Sequence, residues 1–182
     1  MYLVPIVVAL APCLWVILPG WIETQPCFSA DGRYLYFVSN RLGGKGGLDI
    51  WRTSLIYNND GFISFTSPEN LGQSINTLFD EMSPFIHADN LTLYFASNGH
   101  IGMGNYDLFI SRREDSESAW KEPENMGFPI NTFNIENSLI VSNDGSTAYF
   151  ASNKSGFGKE DIFWFELPKN IKLAFDGQCI EI

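Results

Sequence analysis

The feature that most restricts this chain is a unit that returns twice. Residues 25–55, "QPCFSADGRYLYFVSNRLGGKGGLDIWRTSL", recur as 83–113, "SPFIHADNLTLYFASNGHIGMGNYDLFISRR", and more degenerately as 138–167, "SLIVSNDGSTAYFASNKSGFGKEDIFWFEL". Phe37, Phe95 and Phe150 lie 58 and 55 residues apart, and Asp49, Asp107 and Asp161 lie 58 and 54 apart, so the third copy has lost one residue in its glycine-rich stretch. A second element recurs between the copies. "FTSPENLGQSINT" (65–77) matches "WKEPENMGFPINT" (120–132), with Pro68 and Pro123, Asn70 and Asn125, and Gly72 and Gly127 each offset by 55. Matching spacing in two separate segments points to a supersecondary unit copied in tandem, whose faces are buried by stacking on neighbouring units.

Within each unit an apolar run leads to a turn (Asp31-Gly32, Asp89-Asn90 or Asn143-Asp144-Gly145) and then to "LYFVS", "LYFAS" or "AYFAS". That order predicts strand, two-residue turn, strand. A glycine loop follows, and then "DIWRTSL", "DLFISRR" or "DIFWFEL", aromatic and β-branched enough for a third strand. Residues 65–70 and 120–125 are expected to add a short fourth strand, with Pro68 and Pro123 suited to a sheet edge. Four antiparallel strands per 55 to 58 residues is the organisation of a β-propeller blade, and no sustained helical period competes with it. The expected fold is therefore all-β: three blades (about 23–77, 78–132 and 133–168) of a partial propeller, between an apolar segment (1–22) and a tail (169–182).

The glycine loops 43–47, 99–104 and 156–158 are followed by strands and lack a Gly-Lys-Ser/Thr sequence, which excludes a phosphate cradle at a helix N-terminus. Their repetition marks them as blade connections. Asp49, Asp107 and Asp161 are expected to accept backbone N–H bonds from the loop each one closes, calcium held by the aspartate and loop carbonyls being the alternative. Asn40, Asn98 and Asn153 and Gly46, Gly104 and Gly158 recur with them as structural positions, and no cofactor is expected. Glu23, Glu81 and Glu136 repeat just before the first strand of each blade; they either ring one mouth of the central channel or cap a neighbouring turn. His100 and His87 each occur in one copy only, and are expected to be a surface and a strand histidine, not metal ligands.

With 21 acidic against 11 basic residues, the net charge of −10 excludes a nucleic-acid backbone as partner. Cys13, Cys27 and Cys179 are too few and too scattered for a disulfide framework, and Cys27 is expected in the core. The uncharged stretch 1–22 is long enough to span a bilayer, yet Pro5, Pro12 and Pro19 interrupt it and no Lys or Arg precedes it. A signal, a lipid anchor at "LAPC" or a membrane segment stands beside the truncated end of a longer chain.

"FSADGRYLYFVSNRLGGKGGLDIW" and "YFASNGHIGMGNYDLF", with "PENLG" and "INT" between them, resemble the WD40-like repeats related to the Tol-B propeller. They are most similar to those of Bacteroidetes OmpA-family outer-membrane proteins, some of them tied to type IX secretion. The resemblance covers about residues 23–168. It implies a periplasmic propeller, usually six-bladed, associated with the outer membrane, and a fragment of it in this chain. Peptidoglycan would be bound through a separate domain absent from these residues. The function it implies is a non-enzymatic scaffold for protein–protein interaction in the cell envelope. The alternative is a propeller hydrolase or lyase acting on glycans, with Glu23, Glu81 and Glu136 as its carboxylates.

Overall fold

In the computed structural model, residues 20–59, 61, 63–154, 156 and 158–167 are described. The segment 1–19 with Cys13, and the tail 168–182 with Cys179, lie outside them. Each copy of the repeat becomes one antiparallel sheet. Blade 1 contains β1 (Glu23–Phe28), β2 (Tyr34–Ser39), β3 (Asp49–Tyr57), β4 (Ile63–Phe65) and β5 (Glu69–Asn70); blade 2 contains β6 (Glu81–Ile86), β7 (Thr92–Ser97), β8 (Asp107–Arg112) and β9 (Glu124–Asn125). Blade 3 contains β10 (Glu136–Val141), β11 (Thr147–Ser152) and β12 (Asp161–Glu166). All strand pairs are antiparallel, consistent with a partial β-propeller.

Two local expectations change. The first turn of each blade is a four-residue loop: Ser29 N–H bonds the Tyr34 carbonyl (2.9 Å), and His87 and Ser142 pair likewise with Thr92 and Thr147. This loop has one left-handed residue, at Gly32, Asn90 or Gly145, where a two-residue type I′ turn needs two. The fourth strand is also shorter than expected. Beyond Phe65, only Glu69–Asn70 pairs with β3, and only Glu124–Asn125 pairs with β8, just after Pro68 and Pro123. Those prolines have no N–H to add to the ladder, and Trp120 is buried in the core instead. Residues 63–65 fold back on the far end of β3 as a hairpin.

The first strands share a bulge. Pairing slips between Thr24 and Cys27, Met82 and Phe85, and Asn137 and Ile140, with Gln25, Ser83 and Ser138 at φ of 52°, 53° and 54°. One extra residue bends the strand at the same register in every blade.

Two apolar cores lie between three sheets. The first joins Tyr36, Val38 and Ile50 of blade 1 to Ile86, Leu93, Phe95 and Phe109 of blade 2. The second joins Tyr94, Ala96, Leu108 and Ile110 of blade 2 to Leu139, Val141, Ala148 and Phe150 of blade 3. Blade 2 is thus covered on both faces. Cys27 is half-buried at the rim of the first core, short of the full burial expected, and burial there pushes its thiol pKa up.

Candidate functional site

The most repeated polar residues meet in one row across each blade. Glu23 lies opposite Ser39, and Ser39 opposite Asp49; the rows Glu81–Ser97–Asp107 and Glu136–Ser152–Asp161 are identical in register. The sequence marks the glutamate and aspartate of each row. It leaves the serine unremarked inside "YFVSN", although Ser39, Ser97 and Ser152 are all buried.

Glu81 and Glu136 are fully buried and cap a turn. Glu81 accepts the Thr77 backbone N–H (2.8 Å), the Thr77 hydroxyl (2.7 Å) and the Ser97 hydroxyl (2.8 Å). Glu136 repeats this with Thr132 (3.0 and 2.7 Å) and Ser152 (2.9 Å). Of the two roles open to these carboxylates, the geometry is that of the cap. Burial raises the Glu81 pKa, and the Thr77 and Ser97 bonds pull against that rise. Glu23 instead meets the Arg41 guanidinium, and burial raises its pKa against the pull of that charge. Asn40, Asn98 and Asn153 close the same end of each blade: their side-chain carbonyls accept N–H bonds from Ile22 (2.7 Å), Asp80 (2.8 Å) and Ile135 (2.8 Å).

The aspartates hold the glycine loops by donor bonds. Asp49 accepts the N–H groups of Lys45 and Gly46, with Asn70 donating to it as well (2.9 Å). Asp107 accepts those of Met103 and Gly104, and Asp161 that of Gly158. N–H groups aimed at a carboxylate are the reverse of a cation cage, which needs lone pairs converging on an ion. Among the described residues no three His, Cys, Asp or Glu side chains are grouped to hold a metal.

The loops also explain their glycines. A Cβ on Gly46 would lie 2.5 Å from the Phe79 carbonyl oxygen, and one on Gly104 would lie 2.3 Å from that of Asn134. Backbone entering the next blade runs directly against these positions. Two buried asparagines in that entry segment went unnoticed in the sequence. Asn76 pairs with both the N–H (2.8 Å) and the carbonyl (2.9 Å) of Ile50, and Asn131 does the same to Leu108 (2.8 and 2.8 Å). Their place in the repeated "INT" was the available signal.

The histidines differ from expectation. His100 is half-buried: its Nε2 meets the Ile75 carbonyl (2.8 Å), and its ring packs on Phe95 and Phe109. His87 lies just past β6, fully buried, 3.6 Å from Asp89 and 3.2 Å from the Ser142 carbonyl of blade 3. Neither histidine joins a second potential metal ligand set.

What the scaffold leaves uncovered at the glycine-loop end is apolar. Leu78, Phe79, Ile101, Met103, Phe128 and Phe133 are all exposed there, Ile101 and Met103 on the second glycine loop and the other four on the segments that enter the next blade. Met103, Phe128, Thr132, Phe133, Asn134 and Lys154 line a groove of about 670 Å³ between blades 2 and 3. Such a patch costs solubility and finds no packing role within the described residues.

No protein-family profile matches the chain, and no curated protein matches it. Among solved structures the chain is similar to the periplasmic gluconolactonase PpgL of Pseudomonas aeruginosa, with 16% sequence identity and a TM-score of 0.42, over 70% of this chain and 35% of that one. The chain spans about a third of the length of that structure. The expectation of a non-enzymatic protein is corrected by this finding: the structure it resembles is by name a lactonase, so the absence of catalysis is not a property to be assigned to this chain. The fold it shows is that of a partial, all-β propeller.

Proposed function

We propose that this chain is part of a periplasmic β-propeller of the bacterial envelope that binds a protein partner through the apolar glycine-loop end. The carrying observation is the exposure of six large apolar side chains at that end, Ile101 and Met103 on the loop that Asp107 holds and Leu78, Phe79, Phe128 and Phe133 on the segments that enter the next blade. Aromatic and methionine side chains on an ordered loop rim are what the centre of a protein interface is made of. The likeness of the repeats to the Tol-B-related blades of OmpA-family proteins supports the envelope and outer-membrane association. On this reading peptidoglycan would be bound through a separate domain.

A site-specific photo-crosslinker tests this reading. Placed at Phe133 in envelope-bearing cells, it is expected to yield a discrete adduct that the same group at exposed Glu124 does not. Equal labelling from both positions, or none from Phe133, overturns it.

A second reading is a propeller hydrolase, the class to which the lactonase named above belongs. Glu81 and Glu136 are consumed as turn caps, so its chemistry would have to come from other groups. Proton release from gluconolactone or hydrolysis of a glycan by the purified chain, above the uncatalysed rate, brings this reading forward.

A further inference from the structure

Each blade lays a basic side chain against the same pair of aromatic rings. The pairs are Phe37 with Trp51, Phe95 with Phe109 and Phe150 with Phe163, each made of residues directly opposite in the second and third strands. In blade 1 the Arg41 guanidinium lies 4.9 Å and 5.4 Å from the two ring centres and forms an ion pair with Glu23. In blade 2 the His100 ring lies 5.8 Å and 5.2 Å from them, and its Nε2 meets the Ile75 carbonyl. In blade 3 Lys154, at the register of Arg41, holds its Nζ 4.8 Å from the Phe150 ring centre and 4.2 Å from that of Phe163. The carboxylate that corresponds to Glu23 is Glu136, and its oxygens are taken by Thr132 and Ser152. Among the described residues Lys154 therefore has no carboxylate partner. The same side chain lines the groove with Met103, Phe128 and Phe133.

We propose that this groove takes an extended segment of a protein partner in which an apolar side chain stands beside an Asp or Glu. The apolar side chain packs among Met103, Phe128 and Phe133, and the carboxylate meets Lys154. The inference rests on the binding reading above and names the chemistry of the partner. A segment seated in the groove takes water from the ammonium, and a desolvated charge left unpaired is costly. The contact thus rewards an acidic neighbour, penalises a neutral one and penalises a basic one most. The rings of Phe150 and Phe163 hold the ammonium in place beforehand, so little side-chain freedom is lost on binding. Blade 1 shows the completed arrangement, with Arg41 on its rings and Glu23 against it, both largely buried.

Fluorescence polarisation of the full chain with short labelled peptides, blocked at both ends, tests it. The set combines Phe, Leu or Ala as the anchor with Glu, Gln or Lys beside it. The Phe-Glu and Leu-Glu peptides are expected to bind about fivefold or more tightly than their Gln forms, and the Lys forms most weakly. Lys154→Gln should level the Glu and Gln peptides, and Lys154→Glu should turn the preference toward Lys, a reversal that lost folding does not produce. Phe133→Ser should weaken every peptide of the set. Binding that depends on Phe133 but ignores the neighbouring residue overturns this inference and leaves the protein-binding reading standing. No binding by any peptide also overturns it, the crosslink from Phe133 then deciding the wider reading separately. A peptide with a free C-terminus and no acidic side chain that binds as tightly as Phe-Glu would make the groove a chain-end site, and phosphatidylglycerol vesicles binding in place of the peptides would make it a lipid surface; either result sinks the proposal.

Discussion

Blades 2 and 3 present nearly the same strand to different surroundings. In "TLYFAS" of β7 all six residues are buried, whereas "TAYFAS" of β11 alternates between buried and more open positions. The third strands differ in the same way, β8 being buried along five of its six residues and β12 never fully. The sequence of a blade therefore fixes which side chains can be buried. The neighbouring blade decides whether they are, because a sheet has two faces and its own strands cover neither.

The sharpest way to break this comparison is to cut the same register in both blades. Leu108→Ala removes a fully buried side chain between two sheets and should cost about 2–5 kcal/mol. Ile162→Ala, an exposed position, should stay within about 0.5 kcal/mol in urea melts of both variants. Equal losses would mean that the outer face of blade 3 is covered in the single chain.

The glycine loops offer a second contrast of smaller size. Gly104→Ala drives a methyl group into the Asn134 and Thr132 carbonyls and should destabilise by about 1–3 kcal/mol. Gly158→Ala meets no neighbouring blade and should cost under about 1 kcal/mol in the same melts. If the two variants lose equal stability, the approach of the next blade is not what requires these glycines.

Asp107→Ala tests the donor bonds themselves. Losing the carboxylate strands the Met103 and Gly104 N–H groups, for an expected cost of about 1–3 kcal/mol. Asp161→Ala should lose less, because the bond from Gly158 lies in an exposed loop that water can replace. A variant that melts like its parent yet loses a calcium-dependent transition would turn the aspartate into an ion ligand.

These residues also show what could be read from the sequence. Period, strand order and the aspartate of each loop are legible because a tandem repeat samples the same structural demand three times. Whatever is common to the copies, such as Asp49, Asp107 and Asp161, stands out from what is not. The role of Glu81 was half legible: its repetition was plain, but whether it faced a channel or a turn depended on Thr77 and Ser97, which only folding brings beside it. The short fourth strand was misjudged for a related reason. Asn76 and Asn131 pair with β3 and β8 through their side chains, doing work that a longer strand would have done with its backbone. The apolar loop residues were hidden because nothing in the letters of Leu78, Phe128 and Phe133 separates a buried side chain from an exposed one; the fold leaves all three exposed.

The seam between blades 2 and 3 carries one group without a counterpart in the other copies, and it gives the smallest effect. Where blades 1 and 3 have Ser29 and Ser142, blade 2 has His87, bonded to the Ser142 carbonyl across the seam and close to Asp89. Burial, the largest influence on both groups, works against each charge. Asp89, the Ser142 carbonyl and the more distant Asp144 outweigh it at His87 and hold that pKa above its ordinary 6.5. The His87 contact and the N–H groups of Leu91 and Thr92 outweigh it at Asp89 and hold that pKa below 3.8. A histidine raised in the folded state stabilises fully below 6.5 and loses that contribution as pH climbs through its folded value. An aspartate lowered in the folded state stabilises fully above 3.8 and loses it as pH falls through its folded value. The pair therefore contributes most between 3.8 and 6.5. His87→Ser, which installs the residue of the other copies, should lower stability by about 1 kcal/mol in that window, with the deficit shrinking as the pH rises beyond it. Asp89 keeps its bonds from Leu91 and Thr92 in the variant, so the loss reports the imidazolium and not a stranded carboxylate. Urea melts of both proteins from about pH 4 to about pH 8 decide it: a deficit that does not vary with pH would leave His87 as a packing residue whose charge plays no part in joining the blades.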